Sequence, residues 1–168
     1  IEESLLGPGW GSGYWGGSTL TYSQTTLDGG INDSVTSIDL TSASDFETAS
    51  TTTSAAVAFG ATSINLADSS GMPSKGTVQI DSELISYKTN SGTVLGDITR
   101  GASGTTQALH ASGATATFAG LILIDDELIF YTAKSSNDLT TVIRGSLGTT
   151  AVAHSDDVIV KEANGFYG

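Results

Sequence analysis

Four polar residues recur at matched places in the chain and are the first candidates for chemistry. They are Asp81 and Asp125, Glu83 and Glu127, Arg100 and Arg144, and His110 and His154. A carboxylate pair beside a histidine and an arginine can move protons and hold an anionic intermediate. Catalysis, however, needs unequal roles around a pocket, and here the same four residues stand in two equal copies. The structural reading is preferred. Asp caps a hairpin turn, Glu pairs with the Arg of a neighbouring strand, and His bonds a loop carbonyl.

Other chemistry is thinly signalled. Neither His110 nor His154 has a second His or Cys at metal-ligand spacing. Asp125-Asp126-Glu127 with Asp156-Asp157 is the one run that offers oxygen ligands to Ca²⁺. It lacks the Asp-x-Asp-x-Asp-Gly loop, and Ser82 replaces Asp126 in the sister copy. A solvated acidic turn is the preferred reading, and no cofactor is expected. There is no Gly-x-Ser-x-Gly elbow and no phosphate-cradling Gly-Lys-Ser/Thr loop. Glu83 and Glu127 lie in separate copies, which argues against a glycan-cleaving carboxylate pair.

The elements that carry these residues form an internal repeat. Residues 78–117 align with 122–161 at a constant offset of 44 without a gap. Ile80-Asp81-Ser82-Glu83-Leu84-Ile85-Ser86-Tyr87 becomes Ile124-Asp125-Asp126-Glu127-Leu128-Ile129-Phe130-Tyr131. Arg100-Gly101, Gly104-Thr105-Thr106 and His110 recur as Arg144-Gly145, Gly148-Thr149-Thr150 and His154. A shorter repeat upstream relates 35–46 to 61–72 at an offset of 26. The order short, short, long, long suggests one module inserted within another, 61–72 with 78–117 inside 35–46 with 122–161.

Within a long unit, Thr77–Ile80 alternates apolar and polar as a half-buried strand does. Asp81-Ser82-Glu83 makes a turn and Leu84–Lys88 returns. Thr89-Asn90-Ser91-Gly92 turns again, Thr93–Arg100 is a third strand, and Ala114–Thr117 a fourth. No window has a 3.6-residue period, so helix is limited to one turn near Thr105–His110 or Thr149–His154. The expected fold is all-β: two small tandem or interleaved barrels or sandwiches with an extended Gly-rich N-terminal arm. The divisions are an arm at 1–30, a short strand unit and Ser/Thr linker at 31–60, a first module at 61–118, and a second at 119–168 completed by the strand near 35–46.

Composition agrees. Six Lys+Arg against 18 Asp+Glu give a net charge of -12, which would repel nucleic-acid phosphates. There are no cysteines, so disulfides, thiolate metal sites and Cys nucleophiles are excluded. No apolar run approaches the ~20 residues of a membrane-spanning helix, and no membrane partner is expected. Ile1-Glu2-Glu3 reads as an internal start of a longer product. The arm carries Trp10, Tyr14 and Trp15 among dense glycines. Large aromatics on a backbone able to lie flat are the residues expected to meet a partner.

The long units resemble a repeat of bacteriophage virion proteins, an Ile-Asp-x-Glu-x-Ile-x-Tyr hairpin followed by Arg-Gly, Gly-Thr-Thr and His-x-x-Gly. Asp157 departs from the final Gly113 of the first copy. The arm's Trp10-Gly11-Ser12-Gly13 resembles segments of marine-phage structural proteins. The resemblance covers about half of the chain. It implies a tail, baseplate, fibre or capsid-decoration component located in the virion, with copies of itself or other virion proteins as partners. A receptor- or glycan-binding adhesin module is the alternative.

Overall fold

The computed structural model describes residues 23–164. Trp10, Tyr14 and Trp15 lie outside the described residues. The described chain is all-β, with thirteen strands: β1 (Gln24–Thr26), β2 (Ser37–Asp39), β3 (Ser50–Thr52), β4 (Ser63–Asn65), β5 (Gly76–Ile80), β6 (Glu83–Tyr87), β7 (Thr89–Ser91), β8 (Val94–Gly96), β9 (Thr115–Phe118), β10 (Gly120–Ile124), β11 (Glu127–Ser135), β12 (Asp138–Ile143) and β13 (Ile159–Glu162). Every pairing is antiparallel.

One six-stranded sheet runs β1-β13-β10-β11-β12-β2, and its edges meet at the bridge Leu27↔Leu40. The remaining strands form β3-β9-β5-β6 and β4-β8-β7. These two sheets are joined by the bridges Thr53↔Leu66 and Ser86↔Thr99. The pairings correspond strand for strand at offsets of 26 and 44. Ile38 opposite Leu139 matches Ile64 opposite Leu95, and Thr25 opposite Val160 matches Thr51 opposite Ala116. Ile38 shares a core with Ile122, Ile124, Ile129 and Tyr131, while Ile64 shares one with Val78, Ile80, Ile85 and Tyr87. The 50–118 body thus sits within a body made of the flanking segments.

Several expectations are corrected. The Ser/Thr stretch expected as a linker within 31–60 is not only a linker, because Ser50–Thr52 is strand β3. The proposed arm is too long, since β1 and the buried Leu27 belong to the outer barrel. The third strand of the first long unit is shorter than Thr93–Arg100. Asp97 turns left-handed at φ 51° and interrupts it, and Thr89–Ser91 is strand rather than turn. The 3₁₀ turns fall at Ala102–Gly104 and Ser146–Gly148, one turn upstream of the expected places. Asp157 adopts φ 63°, so it reproduces the conformation of Gly113. Tyr87, Phe130 and Tyr131 are fully buried.

Each barrel core is anchored by a tyrosine laid over a glycine. Gly76 faces Tyr87 across β5–β6, and Gly120 faces Tyr131 across β10–β11. Without a Cβ beneath it, each ring leans across its partner strand. Tyr87 Oη donates to Pro73 O at 3.1 Å and Tyr131 Oη to Glu47 O at 3.0 Å. Both phenols thereby tie down the chain just after a short unit, and burial pushes their pKa upward, helped by the charge of nearby Glu47. A third apolar cluster, with Leu84, Ala119, Leu121, Leu128, Phe130 and Ala163, packs the two barrels together.

Two outcomes follow from this packing. A Cβ on Gly120 would lie 2.1 Å from the Tyr131 ring, against 2.9 Å from Phe118 for Gly76. Gly120→Ala should therefore cost about 3 kcal/mol and Gly76→Ala less, read by chemical denaturation. Thr141, β-branched yet at φ 54°, stands where the inner barrel has Asp97. Thr141→Asp should raise stability by roughly 0.5–1 kcal/mol in the same measurement, because Asp tolerates this region better.

Candidate functional site

Glu83 opens β6 directly after the two-residue turn Asp81-Ser82. Asp81 takes φ 53°, a left-handed conformation that Asp accepts more readily than most residues. The turn leaves Glu83 pointing inward, with no exposure to solvent. Five donors converge on its carboxylate. Arg100 Nε at 2.8 Å and Gly101 N at 2.9 Å reach Oε1. Arg100 Nη2 at 2.8 Å, Ala108 N at 3.0 Å and His110 Nε2 at 2.7 Å reach Oε2.

The outer barrel repeats this arrangement. Glu127 accepts from Arg144 Nε and Nη2, both at 2.8 Å, and from Gly145 N at 2.9 Å. Val152 N at 3.2 Å and His154 Nε2 at 2.9 Å complete the set. Gly101 and Gly145, at φ 65° and 58°, turn the chain so that their N–H groups face the carboxylate. A Cβ on Gly101 would lie 2.8 Å from Thr105 O.

The arginines also latch a distant loop. Arg100 donates to Ala58 O at 2.6 Å and to Ala108 O, and Arg144 donates to Asn32 O and Val152 O, each at 2.6 Å. The histidines extend the network outward. His110 Nδ1 lies 2.7 Å from Asp81 Oδ2, and His154 Nδ1 lies 2.8 Å from Asp125 Oδ2. Both ring nitrogens face carboxylate oxygens, an arrangement fully satisfied when each carries a proton. The backbones of the same histidines bridge to Val57 and Ile31.

All eight recurrent residues therefore enter two separate clasps. The Glu–Arg pairing and the turn position of Asp are as expected. The role assigned to His is corrected: its side chain bonds two carboxylates rather than a loop carbonyl, because the turn and the loop bring both acids to one ring. Trp10, Tyr14 and Trp15 are not part of the described site. Sequence reasoning missed the hydroxyls of Thr105 and Thr149, which accept from Leu84 N at 3.0 Å and Leu128 N at 3.1 Å. Their signal was present in the repeated Gly-Thr-Thr.

A second latch was missed because its residue type changes between copies. Asn90 Nδ2 donates to Ser69 O at 3.1 Å and Met72 O at 3.0 Å. At the matching place Lys134 Nζ donates to Ala43 O and Phe46 O, both at 2.9 Å. The neighbour changes with it. Asn90 has an acceptor oxygen, filled by the Ser69 hydroxyl at 2.6 Å. Lys134 has none, and Ala43 stands where Ser69 does.

Burial alone would push the Glu83 and Glu127 carboxyls upward. Hydrogen bonds from the arginine, the histidine and two backbone N–H groups outweigh it and hold both at about 2. Every buried side-chain nitrogen and oxygen among the described residues has a partner. No group of three or more metal-ligating side chains occurs among them. The geometry can fasten a hairpin, an Arg-Gly loop and a distant segment to one buried charge. Asp125 borders a shallow surface groove together with Asp157 and Lys161.

Comparison with protein-family models, curated proteins and solved structures finds no match.

Removing a charge from either clasp should unfold the barrel that holds it. Glu83→Gln or Glu127→Gln leaves an arginine buried without its partner and should cost about 3–5 kcal/mol in urea unfolding. Asp81→Asn and Asp125→Asn, at exposed ends, should cost about 1 kcal/mol or less. Because the folded pKa of each glutamate lies below the ordinary 4.5, its stabilisation is complete above pH 4.5. It should fall as pH drops toward 2, by an amount on the order of 3 kcal/mol per carboxylate. Urea midpoints measured across that range check both the sign and the window.

Proposed function

We propose that the chain is a non-enzymatic structural subunit of a virion, a tail, baseplate or capsid-decoration component that assembles with copies of itself or other virion proteins. The observation that carries this reading is the closure of both clasps. Among the described residues the buried charges each have their partners, and the same constellation stands twice in equal form. Such a site supports a rigid body rather than turnover, which needs reacting groups open to substrate. The net charge of -12 argues against a nucleic-acid partner. The aromatic arm supplies the residue types that dominate protein contacts.

An adhesin reading has one observation in its favour. Phe59 and Leu109, 56% and 62% exposed, flank the Val57↔His110 bridge of the inner barrel. Asp33 and Ala153 hold the matching positions of the outer barrel.

Antibodies raised against the purified chain should decorate virus-sized particles from the source material at regular sites. Labelling confined to cell-surface or soluble fractions would contradict the virion assignment. Deletion of residues 1–17 should abolish assembly while leaving the melting temperature of the body unchanged. Persistence of assembly with loss of cell attachment alone would favour the adhesin.

A further inference from the structure

Phe59 stands at the tip of a turn that the inner clasp itself holds. Ala61 N donates to Ala58 O at 3.1 Å and closes the turn. Arg100 Nη1 fixes Ala58 O at 2.6 Å, and Gln107 Nε2 donates to Phe59 O. A Cβ added at the next residue, Gly60, would meet nothing within 4 Å, so the tip projects from the barrel. Phe59 and, beside the Val57↔His110 bridge, Leu109 are both more than half exposed. An aromatic side chain on a backbone already fixed loses little freedom on meeting a partner.

The segments that build this tip carry no acidic or basic side chain besides His110, which is buried in the clasp. Residues 53–66 and 101–117 contain no Asp, Glu, Lys or Arg, in a chain of net charge -12. The matching stretches of the outer barrel, 27–40 and 145–161, hold Asp28, Asp33, Asp39, Asp156, Asp157 and Lys161. Copies of so acidic a chain repel one another, and the tip is a part of the surface that can approach another copy without adding to that repulsion.

The outer barrel offers a recessed apolar face. Ile159, half exposed, stands between two grooves. One, of about 400 Å³, is bounded by Leu123, Val158, Asp125, Asp157 and Lys161. The other, of about 410 Å³, is bounded by Gln24, Thr25, Thr26 and Thr41. The inner barrel has Thr115 and Gln79 at the places of Ile159 and Leu123. Leu123 also packs on the edge of the apolar cluster that joins the barrels, so the face continues an interface already formed within the chain. Exposed apolar surface of this kind marks a contact site. Phe59 and Ile159 both stay exposed in the single chain, so a second copy is what can bring tip and face together.

We infer that the Phe59 tip of one copy docks against the Ile159 face of the next, in a head-to-tail contact. The two surfaces differ, so the contact repeats from copy to copy and builds a ring or a filament rather than a closed pair. The inference rests on the self-assembly part of the proposed function and adds the direction of stacking. A tip in a groove is a small contact, too weak to hold an assembly by itself. It orients copies that the arm draws together.

In sedimentation equilibrium of the full chain, the mean mass should rise with concentration beyond twice the 17.0 kDa of one copy. The double variant Phe59→Asp/Leu109→Ala gives the tip the residues of the outer barrel. The double variant Leu123→Gln/Ile159→Thr gives the face those of the inner barrel. Each alone should weaken self-association by about tenfold or more, with thermal unfolding close to wild type. An equimolar mixture should restore association as far as a pair and no further, because one intact tip and one intact face remain between them. Should a double variant unfold, Phe59→Ser and Ile159→Thr, at exposed positions, take its place in the same mixing experiment. A full chain that stays monomeric at every concentration would overturn the inference. So would a face variant that still pairs while the tip variant does not, which would assign the tip to a symmetric contact with itself. Association unchanged in both variants would also overturn it while leaving assembly through the arm intact, and antibody labelling of particles reads the virion assignment independently of either.

Discussion

A glutamate carboxylate without solvent, facing an arginine, a histidine and two backbone N–H groups, is the constraint on which each barrel depends. An isolated buried charge would be prohibitively costly, so the residue forces its surroundings into one arrangement. Arg-Gly must follow the third strand, the loop must return with an N–H at Ala108 or Val152, and a histidine must close the ring. Each arginine then holds a carbonyl from a segment remote in sequence, Ala58 or Asn32. The clasp therefore does more than stabilise a hairpin: it fixes where the short unit crosses the long one. A buried ion pair is often no more stabilising than an apolar substitute, and its contribution here is the choice of register and crossing point.

Nesting of one barrel within the other is compatible with two intact cores because of where the inner barrel begins and ends. β3 and β9 are antiparallel neighbours, and Phe118 N donates to Ala49 O at 2.8 Å. The chain thus leaves the outer barrel after Phe46 and re-enters at Gly120 from nearly the same point. An insertion whose ends are adjacent adds little closure entropy to its host. The shared cluster of Leu84, Leu128 and Phe130 then fixes the barrels against each other.

Much of this was legible in the residues. Alternating runs around Ile80 and Ile124 marked the hairpins, and gap-free recurrence of Glu, Arg and His marked the clasp. The short strands β1 and β3 were not legible. Gln24-Thr25-Thr26 and Ser50-Thr51-Thr52 contain no apolar residue, and their strand state comes from pairing with β13 and β9. Both carboxylates of the histidine were also hidden, since Asp81 and Glu83 are far from His110 in sequence and meet it only through the folded loop. The Asn90 and Lys134 latches escaped because an amide and an ammonium perform one task, and comparison by residue type separates them. The apolar face around Ile159 became visible only once the two barrels could be compared position by position.

Native-state hydrogen exchange at Gly101, Ala108, Gly145 and Val152 tests the central claim most directly, since these amides are the ones that donate to the buried glutamates. If the clasps hold the barrels, all four exchange as slowly as the core-strand amides of Ile85 and Ile129, through opening of the whole barrel. Exchange as fast as at the exposed Ser136–Asn137 turn would mean that the clasps open by themselves and that the barrels stand without them.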